Sequence, residues 1–221
     1  MIARLGRYAF SRLNPGNISI RHPYTADPVR LHSFHHMDYW LPGRRRGPSA
    51  MATFADLIRP GDTVVELGGR IGYLTLFFAW LVGRHGLVHV FETDADNLRY
   101  LRANVYFHKQ VVVIDAAVEL DDHVCATGVR PDVVRIDGLD GIDGSAWVAL
   151  QGAAGTLRSV RPIVLVCGVG PEAGLFLTDL GYRLYTALGE RISRLPDHPV
   201  DVVGIPFGRE LPMTFASREA V

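Results

Sequence analysis

From Pro60 onward the chain alternates short β-branched runs with stretches of helical periodicity, and this rhythm constrains the fold more than any other feature. Thr63–Leu67, Leu87–Phe91, Val111–Ile114, Val133–Ile136 and Ile163–Val166 read as strands. The segments at 72–82, 93–107, 143–157 and 171–180 read as helices. Strands that alternate with helices require a mostly parallel sheet covered on both faces, because each crossover is right-handed. Tyr182–Thr186 and Val200–Ile205 follow without a convincing helix between them, which predicts a closing antiparallel pair. The expected class is α/β, Rossmann-like, over residues 60–221. Residues 1–59, broken by Pro15, Pro23, Pro28, Pro42 and Pro48, read as an N-terminal extension that covers a substrate or docks on the domain.

Composition narrows the function classes. Lys plus Arg (23) equals Asp plus Glu (23) in 221 residues. A chain without net charge has no global field to gather a phosphate backbone, so nucleic acid is not expected as a partner. Cys125 and Cys167 are too few for a disulfide framework, and a reducing cytoplasm is the default expectation. The longest uncharged apolar run, Ile71–Val82, is shorter than the roughly 18 residues that a membrane span needs. Ile2, Leu5, Ala9 and Leu13 share one helical face opposite Arg4 and Arg7, so the N-terminus reads as a basic amphipathic helix.

The chemistry concentrates where strands end. Val64-Val65-Glu66-Leu67-Gly68-Gly69-Arg70-Ile71-Gly72 sets glycines between a strand and a helix, the place where open parallel sheets bind ligands. A nicotinamide fingerprint needs glycine at 67, which is Leu67. Glu66 instead offers a carboxylate suited to a cofactor with a cationic amino-acid tail. Glu92, twenty residues beyond Gly72, ends the second strand, where a carboxylate can accept from both hydroxyls of a ribose. Asp115-Ala116 ends the third strand, a polar residue before a small one beside the expected adenine position. Glu92 and Asp115 have a plainer alternative as caps for the following helix, whereas Glu66, inside a buried apolar strand, must find a partner or lose its charge.

These residues resemble the class I S-adenosylmethionine-dependent methyltransferases and, more narrowly, the FkbM family. Gly61–Glu66 with Gly69, Gly72 and Tyr73 is similar to the first motif of that family. Leu81–Gly83 with Val90–Glu92 is similar to the second. Asp132–Asp137 with Leu150-Gln151-Gly152 is similar to the fourth. The resemblance implies the sheet order 3-2-1-4-5-7-6 with strand 7 antiparallel. It implies S-adenosylmethionine held by Glu66, Gly68, Gly69, Gly72, Tyr73, Glu92, Thr93, Asp115 and Ala116, and methyl transfer to a hydroxyl of a small molecule, sugar or natural product. The loop after strand four, Gly138–Asp143, is one residue longer than the family pattern, and Cys167-Gly168 replaces an acid after strand five.

Asp137, at the mouth of strand four, is the first candidate for the base that takes the acceptor's proton, and His36 is the second. Asp137 has the alternative role of capping its own turn. His32, His35 and His36 are not expected to bind a metal, since on a strand His35 would point away from the other two. Arg44–Arg46 are read as a solvated loop or as a clamp for an acidic acceptor. Tyr39 and Trp40 are read as a wall for a sugar or as core. Two rivals stand: a cofactor-binding partner or regulatory subunit without catalysis, and a nicotinamide oxidoreductase. Self-association into a homo-oligomer is left open.

Overall fold

A computed structural model describes residues 16–40, 48–138, 145–195, 198 and 200–210. The N-terminal amphipathic segment, Arg44–Arg46 and the loop from 139 to 144 lie outside the described residues. The chain runs β1 (Asn17–Arg21), β2 (Pro28–His32), α1 (Pro48–Leu57), β3 (Thr63–Leu67), α2 (Tyr73–Val82), β4 (Leu87–Phe91), α3 (Ala95–Asn104), β5 (Val111–Ile114) and α4 (Leu120–Thr127). It continues through β6 (Val133–Asp137), α5 (Ser145–Gln151), α6 (Ala154–Ser159), β7 (Ile163–Val169), α7 (Pro171–Asp179), β8 (Tyr182–Tyr185), β9 (Arg191–Ile192) and β10 (Val200–Pro206).

Eight strands form one sheet in the order β5-β4-β3-β6-β7-β10-β8-β9. β5, β4, β3, β6 and β7 are mutually parallel, and β10 runs antiparallel to both β7 and β8. Numbered from β3 and without the short β9, this is the order 3-2-1-4-5-7-6 with an antiparallel seventh strand. β3 and β6 are buried on both faces, as strands flanked by crossover helices must be. Val64, Phe77, Phe78 and Val133 centre one apolar layer, and Val65, Val134, Leu150 and Val164 centre the other.

The segment before Pro60 shares its core with the sheet domain. Met51, Phe54 and Leu57 of α1 pack in the layer that holds Val64 and Phe78. Val29 and Leu31 of the β1–β2 hairpin pack with Ile71, Leu76 and Leu101.

Several boundaries differ from the sequence reading, each for a local reason. Asp94, not Thr93, caps α3: its carboxylate accepts from the Asn97 N–H at 2.8 Å. The single helix expected over 143–157 is two. Asp121 of the unforeseen α4 accepts from the N–H groups of Gly155 and Thr156 at 2.7 and 2.6 Å, so an acid from a distant segment caps a new helix start. His35 does not point away from its neighbours, because the chain turns after His32; the His32 and His35 rings lie 4.4 Å apart. No helix among the described residues is long and apolar enough to cross a membrane.

Candidate functional site

The C-terminal ends of β5, β4, β3 and β6 stand side by side, and they carry Asp115, Glu92, Gly68 and Asp137 in that order. With adjacent strands near 4.8 Å apart, this row spans about 14 Å. The row lies at the glycine loop, where β3 ends and α2 begins.

Two backbone bonds fold that loop against β4: the N–H groups of Gly68 and Gly69 both donate to the Phe91 carbonyl, at 3.0 and 2.9 Å. Gly68 (φ +88°) and Gly72 (φ +83°) take left-handed conformations that favour glycine. Gly69 is required for a different reason. A Cβ there would stand 2.1 Å from Cγ2 of Val90, and one at Gly72 would stand 2.8 Å from Cδ1 of Leu101. Both glycines are buried, so their missing side chains serve the loop's close packing on β4 and α3. Arg70 has φ +50°, rare for a residue with a side chain.

Glu92 is held by the loop it faces. Its Oε2 accepts from the Arg70 N–H at 2.6 Å, and its Oε1 accepts from the N–H groups of Thr93 and Asp94, each at 2.9 Å. A carboxylate has about four acceptor positions, so the three bonds leave Oε2 room for a hydroxyl donor. This fixed acceptor at a strand mouth fits a ribose. Thr93 is exposed and Tyr73, first residue of α2, is half-buried. Asp115 is exposed and pairs with Arg102 at 3.0 Å, with Ala116 half-buried beside it.

Glu66 sits deeper than a group waiting for a ligand. It is 1% exposed, accepts from the Thr75 hydroxyl at 2.6 Å and pairs with Nη1 of Arg135 at 3.1 Å. Its charge is therefore answered within the protein, by a cation that sequence reasoning overlooked. The signal was available: an arginine inside the apolar run of β6, in direct register with Glu66. The same guanidinium pairs through Nη2 with Oδ1 of Asp137 at 3.1 Å. Arg70 approaches Oδ2 of Asp137 at 3.9 Å.

His36 lies on the turn after β2, within the field of Arg70, with its ring 4.9 Å from the Tyr100 ring of α3. Its Nδ1 accepts from the His32 N–H at 2.9 Å. The neutral ring then carries its proton on Nε2, which makes it a donor. Burial, with His35 and His32 adding to it, pushes its pKa down to about 4. Tyr39 packs 5.3 Å from Tyr73, so the segment after β2 borders the start of α2. No group of three or more His, Cys, Asp or Glu residues that could hold a metal occurs among the described residues.

No family model matches the chain. Over 116 residues it is 34% identical to the tRNA (adenine(58)-N(1))-methyltransferase TrmI of Thermus thermophilus, a match covering 52% of this chain and 43% of that protein. The chain thus spans less than half the length of this curated relative. Among solved structures, Aeropyrum pernix fibrillarin in complex with natively bound S-adenosyl-L-methionine aligns with a TM-score of 0.54 and 12% identity, over 86% of this chain and 94% of that one. Precorrin-6y C5,15-methyltransferase from Geobacter metallireducens aligns with a TM-score of 0.53 and 16% identity, over 71% and 87%. These likenesses establish the fold as the Rossmann-like fold of such methyltransferases.

Proposed function

We propose that the chain binds S-adenosylmethionine along its row of strand ends and transfers the methyl group to a hydroxyl of a small molecule, sugar or natural product. The observation that carries this reading is Glu92, a nearly buried carboxylate pinned by three N–H groups with acceptor capacity left on Oε2. When bound, S-adenosylmethionine supplies an electrophilic methyl on a sulfonium. Glu92 would hold the ribose, Thr93 would border it, and Asp115-Ala116 would border the adenine. The loop from Gly68 to Gly72, with Tyr73, would back the amino-acid end. Glu66, its charge answered by Arg135, would support the loop from beneath through that buried pair. Asp137, at the mouth of β6, would take the acceptor's proton, an effect on the order of 10²- to 10⁴-fold. Holding acceptor and methyl in line contributes more, up to roughly 7 to 11 kcal/mol.

The hydroxyl acceptor is supported by the resemblance of Asp132–Asp137 and Leu150-Gln151-Gly152 to the FkbM family. A second reading, an RNA acceptor, is favoured by the 34% identity to a tRNA methyltransferase. The absence of net charge weighs against it.

Calorimetric titration with S-adenosylmethionine, S-adenosylhomocysteine and NAD tests the cofactor. The reading expects the first two to bind and NAD not to; the reverse pattern overturns it. Methyl release to hydroxylated small molecules and glycans, run beside tRNA, separates the two acceptors. Tight cofactor binding with no release to any of them would mark a regulatory or partner protein instead.

A further inference from the structure

We propose that Arg135 is a positioning residue, one buried guanidinium that holds the Gly68 carbonyl and the Asp137 carboxylate in fixed relation. The part concerning Asp137 rests on the function proposed above.

Glu66 on β3 and Arg135 on β6 are direct partners in adjacent parallel strands, and Asp137 lies two residues beyond Arg135 on the same face. α2 covers that face, and Thr75 from it donates to Glu66 at 2.6 Å. The side chains of Arg135, Glu66 and Asp137 are 1%, 1% and 4% exposed. A guanidinium is planar, with donors in a rigid fork, so contacts on its two ends fix each other's places. Here Nη1 donates to Glu66 Oε1 and to the Gly68 carbonyl, each at 3.1 Å, and Nη2 pairs with Asp137 Oδ1 at 3.1 Å. Gly68 and Asp137 also touch directly: a Cβ on Gly68 would stand 3.0 Å from Cβ of Asp137.

Neutralising Glu66 requires only a cation beside it. The contacts to the Gly68 carbonyl and to Asp137 are additional, and both land on the mouth of the proposed site. Arg135 reaches the reacting groups through Gly68 and Asp137. Glu66 is its anchor and counter-charge.

Two variants separate positioning from charge balance. R135K keeps one positive charge but loses the fork. E66L/R135M removes the buried pair together and leaves no orphaned charge at Glu66. Thermal unfolding establishes that each is folded, and either one suffices for the test. Two readouts follow on ligand-free and ligand-bound protein: hydrogen exchange of the peptide spanning 67–73, and calorimetric affinity for S-adenosylhomocysteine. Positioning predicts faster exchange at 67–73 with the β6 and β7 amides unchanged. It also predicts affinity weaker by about tenfold or more, the size of one lost charge-assisted hydrogen bond. R135K should fall between the wild type and the double variant. Folded variants with wild-type exchange and affinity would overturn the proposal and leave Arg135 as a counter-ion for Glu66. If the wild type itself fails to bind S-adenosylhomocysteine, the cofactor reading falls, while loop exchange in the ligand-free variants still decides the role of Arg135.

Discussion

The main-chain N–H of Arg70 donates to Oε2 of Glu92 at 2.6 Å, which ties the glycine loop after β3 to the end of β4. With the Gly68 and Gly69 bonds to the Phe91 carbonyl, this contact shapes the site: the loop cannot drift from Glu92 without giving up a charge-assisted bond.

Replacing Glu92 with alanine removes the proposed ribose acceptor and orphans the N–H groups of Arg70, Thr93 and Asp94. Charge-assisted bonds contribute roughly 1.5 to 3 kcal/mol each, so S-adenosylhomocysteine affinity should fall by about tenfold to a hundredfold. Calorimetry on E92A and E92Q measures it. E92Q, which keeps a carbonyl acceptor, should lose less.

Gly69 lies against Val90, and a methyl group there has no room. G69A should destabilise the protein by about 1 to 3 kcal/mol, the usual cost of overpacking. In the background of V90A, which removes the clashing Cγ2, the same change should cost clearly less. Urea unfolding of the four proteins in this cycle reads the coupling.

Asn104 fastens the hairpin to the domain, beside the Tyr100 hydroxyl that donates to Asn17. Asn104 accepts from the Arg30 N–H at 2.7 Å and donates to the carbonyls of Arg30 at 3.0 Å and Ile71 at 2.7 Å. N104A leaves buried backbone groups unpaired, at about 1 to 3 kcal/mol each. Limited proteolysis between β1 and β2 should accelerate in N104A, and unfolding should begin at lower urea.

His22 is fully buried, and that burial pushes its pKa down to about 4 against the opposing field of Asp27. Its Nδ1 accepts from the N–H groups of Tyr24 and Thr25 at 3.3 and 3.2 Å. The unfolded chain takes up this proton near pH 6.5 while the folded one resists until about 4. The stability associated with neutral His22 is therefore complete above pH 6.5 and is lost as pH falls to about 4, a change on the order of 3 kcal/mol. H22N, which keeps an acceptor and does not titrate, should flatten the stability curve across that window. His36, also near 4, accounts for part of the remaining slope.

The legible part of this molecule was local. The strand–glycine–helix passage at 63–73 and the acid ending β4 are read from consecutive residues, because alternation of β-branched and helical runs fixes where parallel strands end. Glu66 was legible as a buried acid in need of a partner, and burial confirms the need. The partner was not legible, since Arg135 lies 69 residues away and only strand order brings them together. Asn104 and Asp121 escaped for the same reason: each bonds backbone groups far along the chain, 74 residues away for Arg30 and 35 for Thr156. The residues before Pro60 were read as an appendage from their prolines, yet α1 contributes Met51, Phe54 and Leu57 to the main core. A short helix with three large apolar residues gives little periodic signal.

The structure of the protein crystallised with S-adenosylhomocysteine tests the central claim most directly. The account predicts a ribose hydroxyl on Oε2 of Glu92, the adenine beside Asp115-Ala116 and the amino-acid end over the loop from Gly68 to Gly72. A ligand lodged elsewhere, or a Glu92 carboxylate that remains on Arg70, Thr93 and Asp94 with no hydroxyl within reach, would contradict it.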